Sequence, residues 1–381
     1  MEEDPSAAIR SIDDPGVRAE GDVLRGMRQE VARLLQRNQT NFPGAQPVSF
    51  SRKHIEELQR EDYYLCEKSD GIRYLLYATE DQGNEIHYLI DRKNDYYYIN
   101  TGNLHFPLPN KEQEFHRDTI LDGELVVDTL PNGKTQITFL VFDCLALDGQ
   151  VLMARDLSKR LGYFRENLFV PYQSLLAKYP EERQYQPFFV EMKDMQLPYG
   201  VEAMFKDMIP KLRHGNDGLI FTCLKSEYKP GTDQHILKWK DADENSIDFR
   251  WQLSWDKVEA DEVDRAEGIT EPWTDWEAVP HVDLFVNHGG NAGYQHFGQL
   301  HLEESEWETL KALGDPLNDR IVECYMDEQK RWRFSRFRDD KTDANHISTV
   351  NSVIDSIRDG VTKDDLIAAA ASIRHHWKAR H

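Results

Sequence analysis

The chain has 381 residues, 39% of them hydrophobic and 11% aromatic, with 68 acidic side chains against 46 basic ones and a formal charge of −22. That length exceeds the roughly 250 residues at which single cores stop growing, so two domains are expected. The negative balance argues against a protein that holds duplex DNA by broad electrostatic attraction, because that mode needs many Lys and Arg contacts to phosphate.

Residues 1–22 read as a disordered acidic arm containing proline. The start lacks the basic and apolar regions of a secretory signal, and no window approaches 18 apolar residues, so a soluble, non-secreted protein is expected. Val23, Leu24, Met27, Val31, Leu34 and Leu35 then recur at helical spacing, with arginines between them on a wet face, up to the turn signal Asn41-Phe42-Pro43-Gly44. From Tyr63 to Lys240 short β-like runs punctuated by Asp-Gly fall at 74–77, 87–90, 125–127, 138–144, 219–222 and 236–239, with a helical stretch over 200–212. Residues 23–240 are therefore read as one mixed domain with mainly antiparallel sheets. Five further strands, at 247–253, 281–286, 294–302, 320–325 and 331–337, suit a small barrel over 241–345, interrupted by an acidic insertion loop at 256–277. Residues 346–381 return to helix, with Ile347, Val350, Val353, Ile354 and Ile357 on one face. Gly360 is a stop, and Thr362-x-x-Asp365 opens a last helix through Trp377. The fold class is α+β. Cys66, Cys144, Cys223 and Cys324 form no Cys-x-x-Cys pair, which speaks against a zinc ribbon or disulfide scaffold and fits a reducing compartment.

The segment Lys68-Ser69-Asp70-Gly71-Ile72-Arg73 lies between two β-like runs. A lysine at a strand end, beside a glycine that lets backbone approach a ligand, can act as a covalent nucleophile when burial or nearby cations depress its pKa. Alone, the segment is also compatible with a surface turn. Four more segments follow it in order: Leu121-Asp122-Gly123-Glu124-Leu125, Phe139-Leu140-Val141-Phe142-Asp143, Asn216-Asp217-Gly218-Leu219-Ile220-Phe221 and Leu237-Lys238-Trp239-Lys240. Together the five resemble the motif series of the covalent nucleotidyltransferases, the superfamily of mRNA capping enzymes and polynucleotide ligases. The stretches Phe42 to Phe50, Cys66 to Arg73, Leu212 to Gly218 and Arg336-Phe337-Arg338-Asp339-Asp340-Lys341 resemble the guanylyltransferase of fungal capping enzymes, the last of them because ligases lack R-x-D-K in that form.

The resemblance implies a nucleotidyltransferase domain followed by an OB-fold barrel, with the C-terminal helices packing back on the former. It implies transfer of GMP from GTP, through a covalent adduct on Lys68, to the 5′-diphosphate end of RNA. Glu124 and Arg92 resemble the groups that hold the ribose, Phe142 the aromatic stacked on guanine, and Lys193 the lysine that contacts base or γ-phosphate. Arg73, Lys238 and Lys240 are expected to favour loss of the Lys68 proton and to offset phosphate charge. Arg338, Asp340 and Lys341 are expected to reach the β- and γ-phosphates on domain closure. A divalent cation, Mg2+ or Mn2+, is implied by the triphosphate, with Asp217 or Glu124 the nearest carboxylates.

Blander readings accompany several of these: Glu124 as an exposed strand residue, Phe142 as plain core, Lys238 and Lys240 as the wet face of an edge strand, and Asp217 as a turn former. His375, His376 and His381 read as a solvated helix end, and Cys66 as a small apolar residue. The rival functions are an ATP-dependent ligase and an idle binding module. Implied partners are a separate RNA 5′-triphosphatase and the phosphorylated C-terminal domain of RNA polymerase II. The implied location is the nucleus, with no membrane association.

Overall fold

Two compact units make up the chain in the computed structural model, residues up to 239 with 363–381 in one and residues 240–362 in the other. The structure describes residues 11–100, 103–241, 245–266, 268, 270–339 and 341–381.

In the first unit the alternating β-like runs become two sheets. The larger has eight strands, in the order Val17–Arg18, Tyr96–Tyr98, Asn84–Ile90, Ile72–Asp81, Thr119–Thr129, Thr135–Leu147 and Gln150–Val151, with Phe189–Met192 added in parallel to Thr135–Leu147. The smaller has four, in the order Ala45–Ser49, Gly231–Trp239, Asn216–Cys223 and Tyr63–Ser69, and its one parallel pair is Ala45–Ser49 with Gly231–Trp239. Pairing is otherwise antiparallel, as expected. On one face of the larger sheet Phe139 and Val141 join Phe164, Tyr172 and Leu176 of the following helices in a dry core. On the other face Tyr77 and Ile90 meet Met27, Val31 and Leu35 of the first helix.

Three expectations are corrected here. The first ten residues of the expected arm lie outside the described residues, but Val17 and Arg18 are paired with Tyr98 and Tyr97, and Arg18 Nη2 donates to Asp95 Oδ2 at 2.7 Å. Backbone pairing and this ion pair order the end of a segment too polar to bury a core. Val23 shares the expected buried face of the helix Gly21–Leu34, yet it is 62% exposed, because burial of that helix begins only at Met27. The stretch 200–212 is helical as expected, a continuous run of changing pitch through Val201–Ala203, Met204–Met208 and Ile209–Lys211, in which Pro210 withholds a backbone donor. The last correction concerns the C-terminal helices, which part company. Ile347–Asp359 lays Ile347, Val350, Val353, Ile354 and Ile357 on the core of the second unit, and Gly360, at φ +53°, ends it in the left-handed conformation. Lys363–Arg380 alone returns to the first unit, with Leu366 and Ile373 buried and Arg380 Nη2 donating to Asp62 Oδ1 at 2.9 Å.

The second unit is a closed five-stranded barrel in the order Ser246–Ser254, His281–Asn287, Tyr294–Leu300, Trp332–Phe337 and Ile321–Met326, with the helix Glu304–Lys311 between its third and fourth strands in sequence. This agrees with the OB-fold expected from the resemblance. Strand alternation turns Ile247, Phe249 and Trp251 into the core. The segment 256–277 is more than a loop: Lys257–Val258 pairs with Trp273–Thr274, and Glu262–Ala266 is a short helix.

Candidate active site

Lys68 is the penultimate residue of Tyr63–Ser69, an edge strand of the smaller sheet, and two residues later the chain enters Ile72–Asp81 of the larger one. The Lys-Ser-Asp-Gly turn is thus the crossing between sheets. Gly71 is required there by protein packing rather than by ligand approach, as first read: a Cβ at this position would stand 2.3 Å from the Leu125 carbonyl oxygen and 2.8 Å from Val126. The crossing puts Lys68 in one wall of a cleft between the sheets and Arg73 in the other. Ala45, Pro47, Cys66, Arg92, Asp122, Glu124, Phe142, Lys193, Ile220 and Ile236 complete much of the lining.

Of the expected site residues, Lys68, Arg73, Arg92, Glu124, Phe142 and Lys193 therefore share one cleft. Phe142 reaches it by strand alternation, on the face opposite Phe139 and Val141. The register between Thr135–Leu147 and Thr119–Thr129 shifts between Val141 and Asp143, and this bulge keeps Asp143 on the cleft side with Phe142 while Phe139, Val141 and Cys144 stay in the core. The Phe142 ring lies 5.5 Å from the Arg73 guanidinium carbon and 6.0 Å from Lys193 Nζ, so cations border a ring whose faces are electron-rich. Lys193 follows Phe189–Met192 and is buried. Its Nζ donates to Ser69 Oγ at 2.6 Å, and Ser69 Oγ donates to Glu124 Oε2 at 2.5 Å. Burial alone would discourage its charge, but the surrounding groups, Glu67 and Glu124 among them, outweigh burial and raise its pKa.

Two expectations about charge change. Arg73 is not an idle cation beside Lys68: Nε and Nη2 clasp both oxygens of Asp122 at 2.9 and 2.6 Å, and Nη1 donates to the Ala45 carbonyl. With Asp122 fully buried, this bidentate pair neutralises the guanidinium within the larger sheet, and the bond to Ala45 ties that sheet to the smaller one. The charged group touching Lys68 is an acid, since Nζ donates to Asp217 Oδ1 at 2.5 Å. Lys238 lies two residues after the cleft-lining Ile236 and pairs across the sheet with Ile220, so it projects on the cleft face. Lys240 is the first residue of the second unit. In that unit Arg338 Nη1 donates to the buried Asp248 Oδ1 at 3.1 Å, and Lys341 Nζ also bonds to Asp248. Asp340 lies outside the described residues. Cys66 lines the cleft, but burial pushes its thiol up to about 12, which leaves it a poor competitor to an amine.

Several participants were not singled out from sequence. Asp122 stands within the Leu121 to Leu125 motif and His214 within Leu212 to Gly218, its Nδ1 2.9 Å from Asp128 and its Nε2 3.6 Å from Glu67 beside the nucleophile. Ser69 links Lys193 to Glu124, and Tyr228 donates to Asp122 at 2.5 Å. Their signal was position within or beside a motif, since their partners are distant in sequence.

Residues 10–242 match the family model of the mRNA capping enzyme catalytic domain, and residues 244–367 match that of the mRNA capping enzyme C-terminal domain. The chain is 55% identical over 381 residues to the mRNA-capping enzyme subunit alpha of Neurospora crassa, covering 98% of this chain and 95% of that protein. Identity to the protein of the same name is 45% over 377 residues in Schizosaccharomyces pombe, covering 98% and 90%. In Saccharomyces cerevisiae it is 36% over 405 residues, covering 96% and 87%. With both family models matched end to end, and the sequence motifs gathered around one lysine-bearing cleft, the chain belongs to the mRNA capping enzyme family.

Proposed function

We propose that the chain is an mRNA guanylyltransferase whose nucleophile is Lys68. The observation that carries this reading is the placement of Lys68 Nζ in a cleft that also holds an aromatic ring bordered by cations, in a member of this family. In the first step Nζ, after losing a proton, bonds to the α-phosphorus of GTP, and the bond from that phosphorus to the bridging oxygen breaks, releasing pyrophosphate. Asp217, already in contact with Nζ, is placed to receive the proton. In the second step a terminal oxygen of 5′-diphosphate RNA bonds to the same phosphorus, the P–N bond breaks, and Nζ regains a proton, leaving a GpppN end.

The remaining assignments follow the geometry of the cleft and the family resemblance. Phe142 stacks on guanine, Arg92 and Glu124 hold the ribose hydroxyls, and Lys193 contacts base or γ-phosphate while it anchors Ser69 and Glu124. Arg73 holds the two walls at their spacing. Lys238 and Lys240 offset charge on the α-phosphate, and Arg338, Asp340 and Lys341 are assigned to the pyrophosphate half of the triphosphate. Among the described residues no group of three or more His, Cys, Asp or Glu side chains could hold a metal ion. A Mg2+ or Mn2+ ion would therefore take most of its ligands from the triphosphate and water, with Asp217 and Glu124 as the available carboxylates, and would supply neutralisation of phosphate charge.

A nuclear location, a separate RNA 5′-triphosphatase and the phosphorylated tail of RNA polymerase II as partners belong to the same proposal. The words "subunit alpha" in the relatives' names support a partner subunit. No helix among the described residues is long and apolar enough to cross a membrane. Incubation with GTP and magnesium or manganese should yield one acid-labile GMP adduct, mapped by mass spectrometry to the peptide containing Lys68, and Lys68→Ala should abolish it. Labelling from ATP alone would reverse the assignment in favour of a ligase.

A further inference from the structure

Although the chain carries 68 acidic residues, one groove of about 870 Å3 in the first unit has no carboxylate among its lining side chains. It adjoins the cleft across a thin wall. Ala45 and Pro47 face the cleft while Gly44 and Gln46 face the groove, as strand alternation requires. Arg92 lines both.

Four cations line the groove, and only one is neutralised. Arg28 Nη2 meets Asp95 at 3.2 Å. Arg37 donates to the Asn41 carbonyl oxygen at 3.0 Å and to Asn41 Oδ1 at 2.7 Å, neutral acceptors that fix its direction and leave its charge intact. Arg92 and Lys93 are exposed, and neither side chain has a hydrogen-bond or ion-pair partner among the described residues. Three uncompensated cations in one concave surface create a positive potential that the −22 background does not erase at short range.

We propose that this groove binds backbone phosphates of the acceptor RNA just downstream of its 5′ end, with Arg37 and Lys93 as phosphate contacts and Arg92 at the junction with the cleft. The inference rests on the guanylyltransferase reading. A ligand held here continues into the cleft past Arg92, which suits a strand whose own end must reach the reacting phosphorus. A phosphopeptide has no such need. Phosphate contacts position a chain without reading its sequence, which fits an enzyme that must act on many transcripts.

The test separates the two half-reactions in the full chain. Arg37→Gln/Lys93→Ala, and Lys93→Glu alone as a variant confined to an exposed side chain, should form the GMP adduct at the unaltered rate. Their KM for a 5′-diphosphate RNA of about ten nucleotides should rise several-fold, while transfer to a nucleoside diphosphate, which lacks downstream phosphates, stays unchanged. The dependence of log KM on log salt should flatten by roughly 0.7 per contact removed. Unchanged RNA KM and salt slope, with the adduct formed normally, overturns the proposal. It is overturned equally if the variants lose affinity only for a phosphoserine peptide. If the unaltered protein forms no adduct at all, the parent reading fails, and the acceptor role falls with it.

Discussion

Arg73 and Lys68 stand five positions apart in one motif and face different energetic tasks. Arg73 is buried and bidentate to a fully buried Asp122, so removing it strands a carboxylate where water cannot reach. Arg73→Ala is expected to destabilise the first unit by about 3–5 kcal/mol, seen as a lowered melting temperature. Its loss of activity should then follow the loss of folded protein, whereas Lys68→Ala should remain folded and inert. His214 provides a pH signature. Burial opposes its charge, but Asp128 and Glu67 outweigh burial and raise the ring to about 9. Because the folded value lies above the ordinary 6.5, this stabilisation is complete below about pH 6.5 and is lost as the pH climbs through about 9. After allowance for solvent screening it amounts to about 1–2 kcal/mol. Melting temperatures taken from pH 6 upward should fall toward pH 9 in the unaltered protein and change little in His214→Gln; parallel curves would show that the contacts carry no charge.

At the level of elements, the site depends on two features of strand geometry. One is the crossing at Gly71. Gly71→Ala places a Cβ against the backbone oxygen of Leu125, which cannot move without disturbing its own strand. A loss of about 1–3 kcal/mol is expected from overpacking, together with slower adduct formation as Lys68 is displaced; an unchanged rate would mean that the crossing tolerates a shift. The other is the alternation that carries Phe142, beside the register shift between Val141 and Asp143. Alternation sets Phe142 opposite Phe139 and Val141, but nothing in the local pattern marks whether that face meets a second core or a cleft. The helices show the same division. The apolar face of 347–357 was legible from its spacing, but which core would cover it was not, because an amphipathic stripe specifies burial without naming a partner.

On the scale of the whole chain, residues 240–362 possess their own core around Phe249, Trp251 and Trp332. Expressed alone, they should unfold cooperatively with heat; a broad, non-cooperative transition would contradict an independent barrel. Deleting residues 363–381 should cost the first unit about 3 kcal/mol or more. The burial of Leu366 and Ile373 is lost, and Asp62, 3% exposed, loses Arg380. The sequence by itself determined the β-rich texture, the five barrel strands, the motif series and the candidate nucleophile, because periodicity and motif chemistry reside within a few consecutive residues. Only the tertiary structure decided how the charges are shared. Arg73 with Asp122, Lys68 with Asp217 and Lys193 with Ser69 are joined across 49, 149 and 124 residues. Coulomb interactions and hydrogen bonds depend on distance in space, and strand pairing within each sheet together with the packing of the two sheets sets those distances while separation along the chain does not.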